Sequence, residues 1–198
     1  LKAQLQPHFL FNTHHSIVSL MLKNENPAAI KMLTRLSDLL RVTLKNTDRQ
    51  LTSLREELDA LELYLGIQRE RYRERLTVEF ALDPIALDAE VPALLLQPLV
   101  ENALQHGLEP LATGGCLRLA ARREADRLVL DLVDNGAGLA PGFTLETAPG
   151  IGLRNTRERL ERLYGSAHRF TISRGRSGGT EVRIELPFRA APAAPISP

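Results

Sequence analysis

The chain has 198 residues, 43% of them hydrophobic, enough to bury one good core and a smaller element beside it. A formal net charge of +1 makes no electrostatic case for a nucleic acid or a membrane surface as partner. Cys116 is the single cysteine, which excludes an internal disulfide framework and fits a reducing compartment; no apolar run nears the roughly 20 residues that cross a bilayer. No signal peptide opens the chain, and Leu1 already stands inside a helical pattern, so a fragment of something longer is expected.

Residues 1 to about 23 are helical in pattern, with Leu5, Phe9, Ile17, Leu20 and Met21 on or near one side. Pro7 has no N–H for the Ala3 carbonyl, so a bend is expected at residues 6–8, next to His8. An imidazole is a neutral nucleophile near pH 7, and Asn12, at i+4, could bond one ring nitrogen and leave the other free. His14 and His15 read as solvent-exposed helix residues.

Asn26-Pro27 opens a second helix, on which Ile30, Leu33, Leu36, Leu40 and Leu44 carry an apolar stripe to about residue 45. Two antiparallel helices with one stripe each cannot bury both faces alone; a four-helix bundle from two copies is the economical solution, so a homodimer is expected. Residues 46–50 are turn-like, and Thr52 or Ser53 with Glu56 makes a capping box. Leu54, Leu58, Leu61 and Leu65 then form a heptad-like seam for the core or the partner, while residues 69–75 are mostly a charged face.

From Leu76 to Leu82 the apolar pattern changes to period two, the first strand of a second unit, and Asp83-Pro84 ends it. Val91-Pro92 leads into a helix over 96–107, with Leu96, Leu99, Val100, Ala103 and Leu104 as its buried stripe. Glu101 and Asn102 sit in the middle of that helix: either they line its wet face, or a carboxylate and an amide side by side hold Mg²⁺ and its waters against a phosphate. Residues 117–123 and 127–133 read as paired strands ending at Asp134, a costly place for a carboxylate unless it is hydrogen-bonded.

Residues 139–149 have loop composition and are a candidate lid. Gly150-Ile151-Gly152 enters a helix running through Asn155, Leu160 and Leu163 to Tyr164; glycines before a helix N-terminus suit phosphate. A dinucleotide fold would need a third glycine where Asn155 stands, and a P-loop is absent, so both rivals fail. Residues 169–173 and 180–186 look like a last hairpin with 175–179 as its turn, and 188–198 as an Ala/Pro-rich disordered tail or linker.

Leu-Gln-Pro-Leu-Val-Glu-Asn-Ala at 96–103, Asp-Asn-Gly-Ala-Gly at 134–138, Gly-Ile-Gly-Leu-Arg-Asn at 150–155 and Gly-Gly-Thr at 178–180 come in order. That set resembles the ATP-binding domain of the gyrase, heat-shock chaperone, histidine kinase and MutL superfamily. Paired with Gln-Pro-His-Phe-Leu-Phe-Asn at 6–12, it is similar to the sensor histidine kinases of the LytS/YehU type. The resemblance implies an α+β protein. Residues 1–74 would be a helical hairpin for dimerisation and histidine phosphotransfer, and 75–187 an α/β-sandwich ATP-binding domain with a mixed, mainly antiparallel sheet.

The same resemblance implies the cytoplasmic catalytic portion of a two-component sensor kinase, its longer parent in the membrane, with ATP and Mg²⁺ as cofactors. His8 would be phosphorylated and pass the group to an aspartate of a response regulator. Asn102 would bind Mg²⁺, with Glu101 beside it as a second ligand or as the base, because Phe9 follows His8 where commoner kinases have an acidic residue. His106 would lie near the triphosphate, Asp134 would accept the adenine amine, and Gly136 and Gly138 would let the backbone pass close to the base. Gly150, Gly152, Leu153 and Asn155 complete the nucleotide site. Thr180 is either the small hydroxyl near adenine or a plain strand residue, and Arg71, of the Arg71-Tyr72 pair, is a candidate for the phosphates.

Two departures stand out. Thr13-His14-His15 replaces the family's usual Asn-x-Leu-Asn continuation, and Gln105 stands where lysine is common. They leave open a nucleotide-binding scaffold or phosphatase that no longer autophosphorylates; an ATP-driven conformational switch is the other alternative.

Overall fold

A computed structural model describes residues 7–46, 49–111, 114–139, 143, 151–175 and 178–192; of 7, 8, 45, 46 and 151 it describes the backbone only. Two antiparallel helices open it, α1 (Pro7–Leu22) and α2 (Asn26–Asn46), turning through Asn24 at φ 58°. Pro7 is the first helical residue, a position that tolerates proline because its missing N–H would be unpaired there anyway. The bend expected at residues 6–8 lies outside the described residues.

α1 turns Phe9, Thr13, Ile17 and Leu20 inward, while Met21, expected on that side, is exposed. On α2 the expected stripe is largely on the outside: Ile30 is 65%, Leu33 54% and Leu44 71% exposed, with Leu36 and Leu40 half-buried. The side α2 buries carries Ala29, Met32, Leu39 and Thr43 instead. The reason is a third helix of the same chain, α3 (Leu54–Tyr72), which packs on α2 and takes the inner side for itself.

Of the two capping candidates, Ser53 is the cap: its hydroxyl accepts the Glu56 N–H at 3.2 Å and its own N–H reaches Glu56 at 3.4 Å. The Thr52 hydroxyl also donates to Glu56. Leu54, Leu58, Leu61 and Leu65 are all buried, as a seam should be. Arg35 of α2 lies across Gly66, donating to its carbonyl at 2.9 Å, where a Cβ would meet the guanidinium.

Two short strands, β1 (Leu51–Ser53) and β3 (Glu90–Pro92), pair antiparallel; neither was visible in the sequence. The main sheet contains β2 (Leu76–Leu82), β4 (Gly115–Glu124), β5 (Arg127–Asp134), β6 (Arg169–Arg174) and β7 (Thr180–Pro187) in the order β2-β4-β5-β7-β6. β2 runs parallel to β4 and every other pairing is antiparallel, the mixed, mainly antiparallel sheet expected of an α+β fold. Period-two alternation sends Leu117, Leu119, Leu130, Leu132, Val182 and Ile184 into one core with two helices, α4 (Leu96–Asn102) and α5 (Ile151–Tyr164).

α4 is shorter than the helix expected over 96–107. From Ala103 to Leu108 it widens into a π turn, with the Glu109 N–H reaching the Leu104 carbonyl at 2.8 Å. Residues 188–191, read from sequence as the start of a tail, hydrogen-bond back to the body: Phe188 to Asp126 and Ala191 to Asp88, both at 2.7 Å. The rest of that stretch, 193–198, lies outside the described residues. Among the described residues no helix is long and apolar enough to cross a membrane.

Candidate functional site

α4 is held at its start by a residue the sequence reading did not single out. Glu57 of α3 is buried and accepts the N–H groups of Leu94 at 2.5 Å, Leu95 at 2.8 Å and Leu96 at 3.1 Å. Those of Leu95 and Leu96 are N–H groups that a helix start leaves without intrahelical partners, and that of Leu94 lies just ahead of them. Arg159 of α5 closes the other side, donating to the carbonyls of Ala93 and, at 2.9 Å, Leu94. Burial pushes the Glu57 carboxyl above its usual range, and the three backbone donors and the Arg159 charge pull it back. Leu94 pays for the tight entry with φ 58°, the left-handed region, which only this surrounding clamp makes tenable. One signal was available: a glutamate within the leucine seam of α3.

Further along α4, Glu101 is buried and faces the helical hairpin. It lines a cleft with Phe9 and Asn12 of α1, Tyr64, Gln68, Arg71 and Tyr72 of α3, and Leu104, Gln105 and Glu109 around the π turn. Gln97, one turn earlier, donates from Nε2 to Glu101 Oε1 at 2.8 Å and fixes the carboxylate; burial raises its pKa and this bond lowers it. Across the cleft the Tyr64 hydroxyl accepts from Gln68 Nε2 at 2.7 Å, and its ring lies 5.0 Å from that of Phe9. Burial, and then the Glu101 charge, hold the Tyr64 phenol well above its ordinary pKa. Arg71 pairs with Glu109 and lies 5.0 Å from the Tyr72 ring centroid. His8 is the second residue of α1, directly before Phe9 and one turn before Asn12; its side chain is outside the described residues.

The π turn that follows α4 meets Asp134. This carboxylate is 3% exposed at the end of β5, and its Oδ1 accepts the N–H of Gly136 at 2.8 Å and of Thr180 at 3.2 Å. Burial raises its pKa against those two donors and the Thr180 hydroxyl. Three glycines close the backbone round it: a Cβ on Gly107 would come within 2.8 Å of Oδ1, one on Gly136 would strike the Gly107 carbonyl, and one on Gly179 would strike the Asp134 carbonyl. The Ala137 N–H bonds the Gly107 carbonyl at 3.0 Å, so the π turn is tied to the loop after β5. Gly138 sits at φ 74°, where a side chain would be strained. Gly107 and Gly179 belonged to the motifs without an assigned role; their need for glycine follows from packing between distant segments.

The remaining predicted positions divide. Asn102 is half-buried and its amide makes no hydrogen bond among the described residues. His106 is exposed on the π turn, and Asn155 is exposed on α5. Leu153 is buried in the core, so it offers a ligand only its backbone. A Cβ on Gly152 would lie 3.4 Å from the Pro98 ring, which makes that glycine a close contact between α5 and α4. Gly150 and all but Leu139 and Phe143 of the candidate lid lie outside the described residues.

Asn102, half-buried, and Glu101, turned to the cleft, are the neighbouring oxygen donors that α4 offers to a metal. Mg²⁺ keeps several waters and takes one or two protein oxygens alongside phosphate, and Asn102 with Glu101 offers no more than that. No cluster of three or more His, Cys, Asp or Glu residues that would suit a protein-only metal cage occurs among the described residues. Asp134 supplies a buried acceptor of the kind an adenine amine needs.

Residues 1–76 match the histidine kinase family, and residues 88–190 match the histidine kinase-, DNA gyrase B- and HSP90-like ATPases. Sensor histidine kinase YesM of Bacillus subtilis (strain 168) is 36% identical over 191 residues, which cover 96% of this chain and 33% of YesM. Sensor protein LytS of Oceanobacillus iheyensis is 35% identical over 200 residues, covering 96% of this chain and 34% of LytS. The chain thus spans about a third of the length of these curated relatives. Among solved structures, the histidine kinase domain of the blue-light activated kinase EL346 from Erythrobacter litoralis shares the fold. Its TM-score is 0.57, with 91% of each chain covered at 20% identity.

Proposed function

This chain belongs to the sensor histidine kinases, and from that premise we propose that it phosphorylates itself on His8 and passes the group to an aspartate of a response regulator. The observation that carries the reading is the cleft in which Glu101 of α4 meets Phe9 and Asn12, the residues that follow His8 on α1. A nucleotide-binding switch with no acceptor of its own would have no need for that meeting.

In the proposed reaction a ring nitrogen of His8 attacks the γ-phosphorus in line, and ADP leaves. Glu101, oriented by Gln97, takes the ring proton, and Asn12 holds the ring. Asn102, with Glu101 as a possible second ligand, would hold Mg²⁺, which neutralises phosphate charge when bound. Asp134 selects adenine, with Thr180 steadying its carboxylate and Gly136 and Gly138 admitting the base close to the backbone. Gly150, Gly152, Leu153, Asn155 and His106 would meet the phosphates. Arg71 would reach them only after leaving Glu109.

A second copy of the chain completes the hairpin. Phe11, Met21, Leu22, Ile30, Leu33 and Leu44 lie exposed on α1 and α2, an apolar surface of the kind a four-helix bundle buries. Use of ATP and of a response regulator would put this portion in the cytoplasm.

The test is incubation with γ-labelled ATP and Mg²⁺, wild type beside His8→Ala and Asn102→Ala. Acid-labile, alkali-stable label on the wild type alone is the expected result. ATP binding without label would move the reading to a switch or an inactive partner kinase.

A further inference from the structure

We infer that phosphoryl transfer runs within one chain, His8 taking its phosphoryl group in the cleft built by its own α1, α3 and α4. The inference rests on the kinase reading above and adds which copy serves which. In the transfer a ring nitrogen of His8 forms the N–P bond, the bond from the γ-phosphorus to the β,γ-bridging oxygen breaks, ADP leaves with that electron pair, and the ring proton goes to Glu101.

Three features of the single chain point this way. Phe9 and Asn12 already share a cleft with Glu101 and Gln105, so the helix that carries His8 stands at its own catalytic helix. α3 holds both walls of that cleft in place. On one side the Tyr64 ring receives Phe9 at 5.0 Å, with the Tyr64 hydroxyl tied to Gln68 at 2.7 Å. On the other, Glu57 binds the start of α4 through three backbone N–H groups. Transfer between chains would require one of these attachments to open. Arg73 at the end of α3 adds a tie to Glu25 in the turn between α1 and α2 at 3.3 Å, and Arg71 adds one to Glu109.

The third feature is which side of α1 is left open. Phe11, Val18 and Leu22, at i, i+7 and i+11, form an exposed stripe, whereas Phe9 and Asn12 face the cleft. A second copy can therefore cover the exposed stripe without entering the cleft, and dimerisation and transfer use different sides of one helix.

The experiment pairs two inactive chains. A His8→Ala chain and an Asn102→Ala chain carrying different tags are co-expressed, purified through both tags, and given γ-labelled ATP and Mg²⁺. The expected result is label at the background of the Asn102→Ala homodimer, at least tenfold below wild type. Label on the Asn102→Ala chain approaching half the wild-type level overturns the inference. A wild type that takes no label removes the kinase reading itself, and a second readout then decides the geometry. In a Cys116→Ser background, Asn12→Cys with Gln105→Cys is treated with a short bis-maleimide. A cross-linked product that runs as one chain under denaturing conditions supports the cleft within a chain; one that runs as two chains overturns it.

Discussion

The sandwich around the sheet and the helical hairpin are built from the same residue types, yet they end in different conditions. In the sandwich, α4 and α5 close on the sheet and the large aliphatic side chains of both layers are buried. In the hairpin, α2 buries Met32 and Leu39 against α3 while Ile30, Leu33 and Leu44 on its other side remain in water. One region buries its apolar side chains within the chain, and the other leaves an apolar side in water. What joins them is α3, which serves the hairpin's core and the start of α4 at once, so the comparison can be broken there first.

Removing the Glu57 carboxylate should produce the largest effect. Glu57→Ala leaves three buried N–H groups and the Arg159 charge without their partner, and the expected loss is about 3–5 kcal/mol of unfolding free energy, read by urea denaturation. A loss below about 1 kcal/mol would mean that α4 holds its start without α3, and that the two regions are less joined than the clamp implies.

Next comes the end of the sandwich at Asp134. Gly179→Ala puts a Cβ onto the Asp134 carbonyl at a residue whose φ is +65°, costing about 1–3 kcal/mol. Because the backbone there cages Asp134, ATP affinity should fall as well, measured by titration with a fluorescent nucleotide. Unchanged affinity in a folded variant would remove Asp134 and its cage from the adenine site.

How much of this could be read beforehand follows the same division. β2, β4, β5 and β7 were legible because each is long enough for period two to declare itself. β1 and β3, with three residues each, offer no such window; they exist because the chain before α3 happens to run beside the chain before α4. On α2 the larger side chains of Ile30, Leu33 and Leu44 drew the reading outward, and the true inner side, with Ala29 and Thr43, is less apolar. Asp134 was legible as a carboxylate at the end of a buried strand. Gln97 could be placed one turn from Glu101 by spacing alone, but Tyr64 and Gln68 could not be placed opposite it, since that meeting depends on how α3 packs. The π turn was hidden because the apolar stripe of 96–104 has α spacing and lies mostly in α4, ahead of the widening at Ala103.

A smaller effect sharpens where α3 begins. Ser53→Ala removes the hydroxyl that accepts the Glu56 N–H and should cost about 1 kcal/mol in thermal unfolding. Glu56 keeps its bond from the Thr52 hydroxyl, which limits the loss. A cost above about 2 kcal/mol would show that the cap also secures the β1–β3 pairing.

The smallest effect inside one chain belongs to the exposed apolar side of α2. Leu33 is 54% exposed, so Leu33→Arg removes little buried contact, and the stability of the isolated chain should move by no more than about 0.5 kcal/mol. Two copies packed on that surface would have to bury two guanidinium groups, one from each, without a counter-charge, so mass by light scattering should drop from dimer to monomer. If the sandwich then still binds ATP with wild-type affinity, the two regions differ as the structure divides them, one complete in a single chain and one completed by another. A variant that stays dimeric would move the contact away from the Ile30, Leu33 and Leu44 side and leave that apolar surface to a different partner.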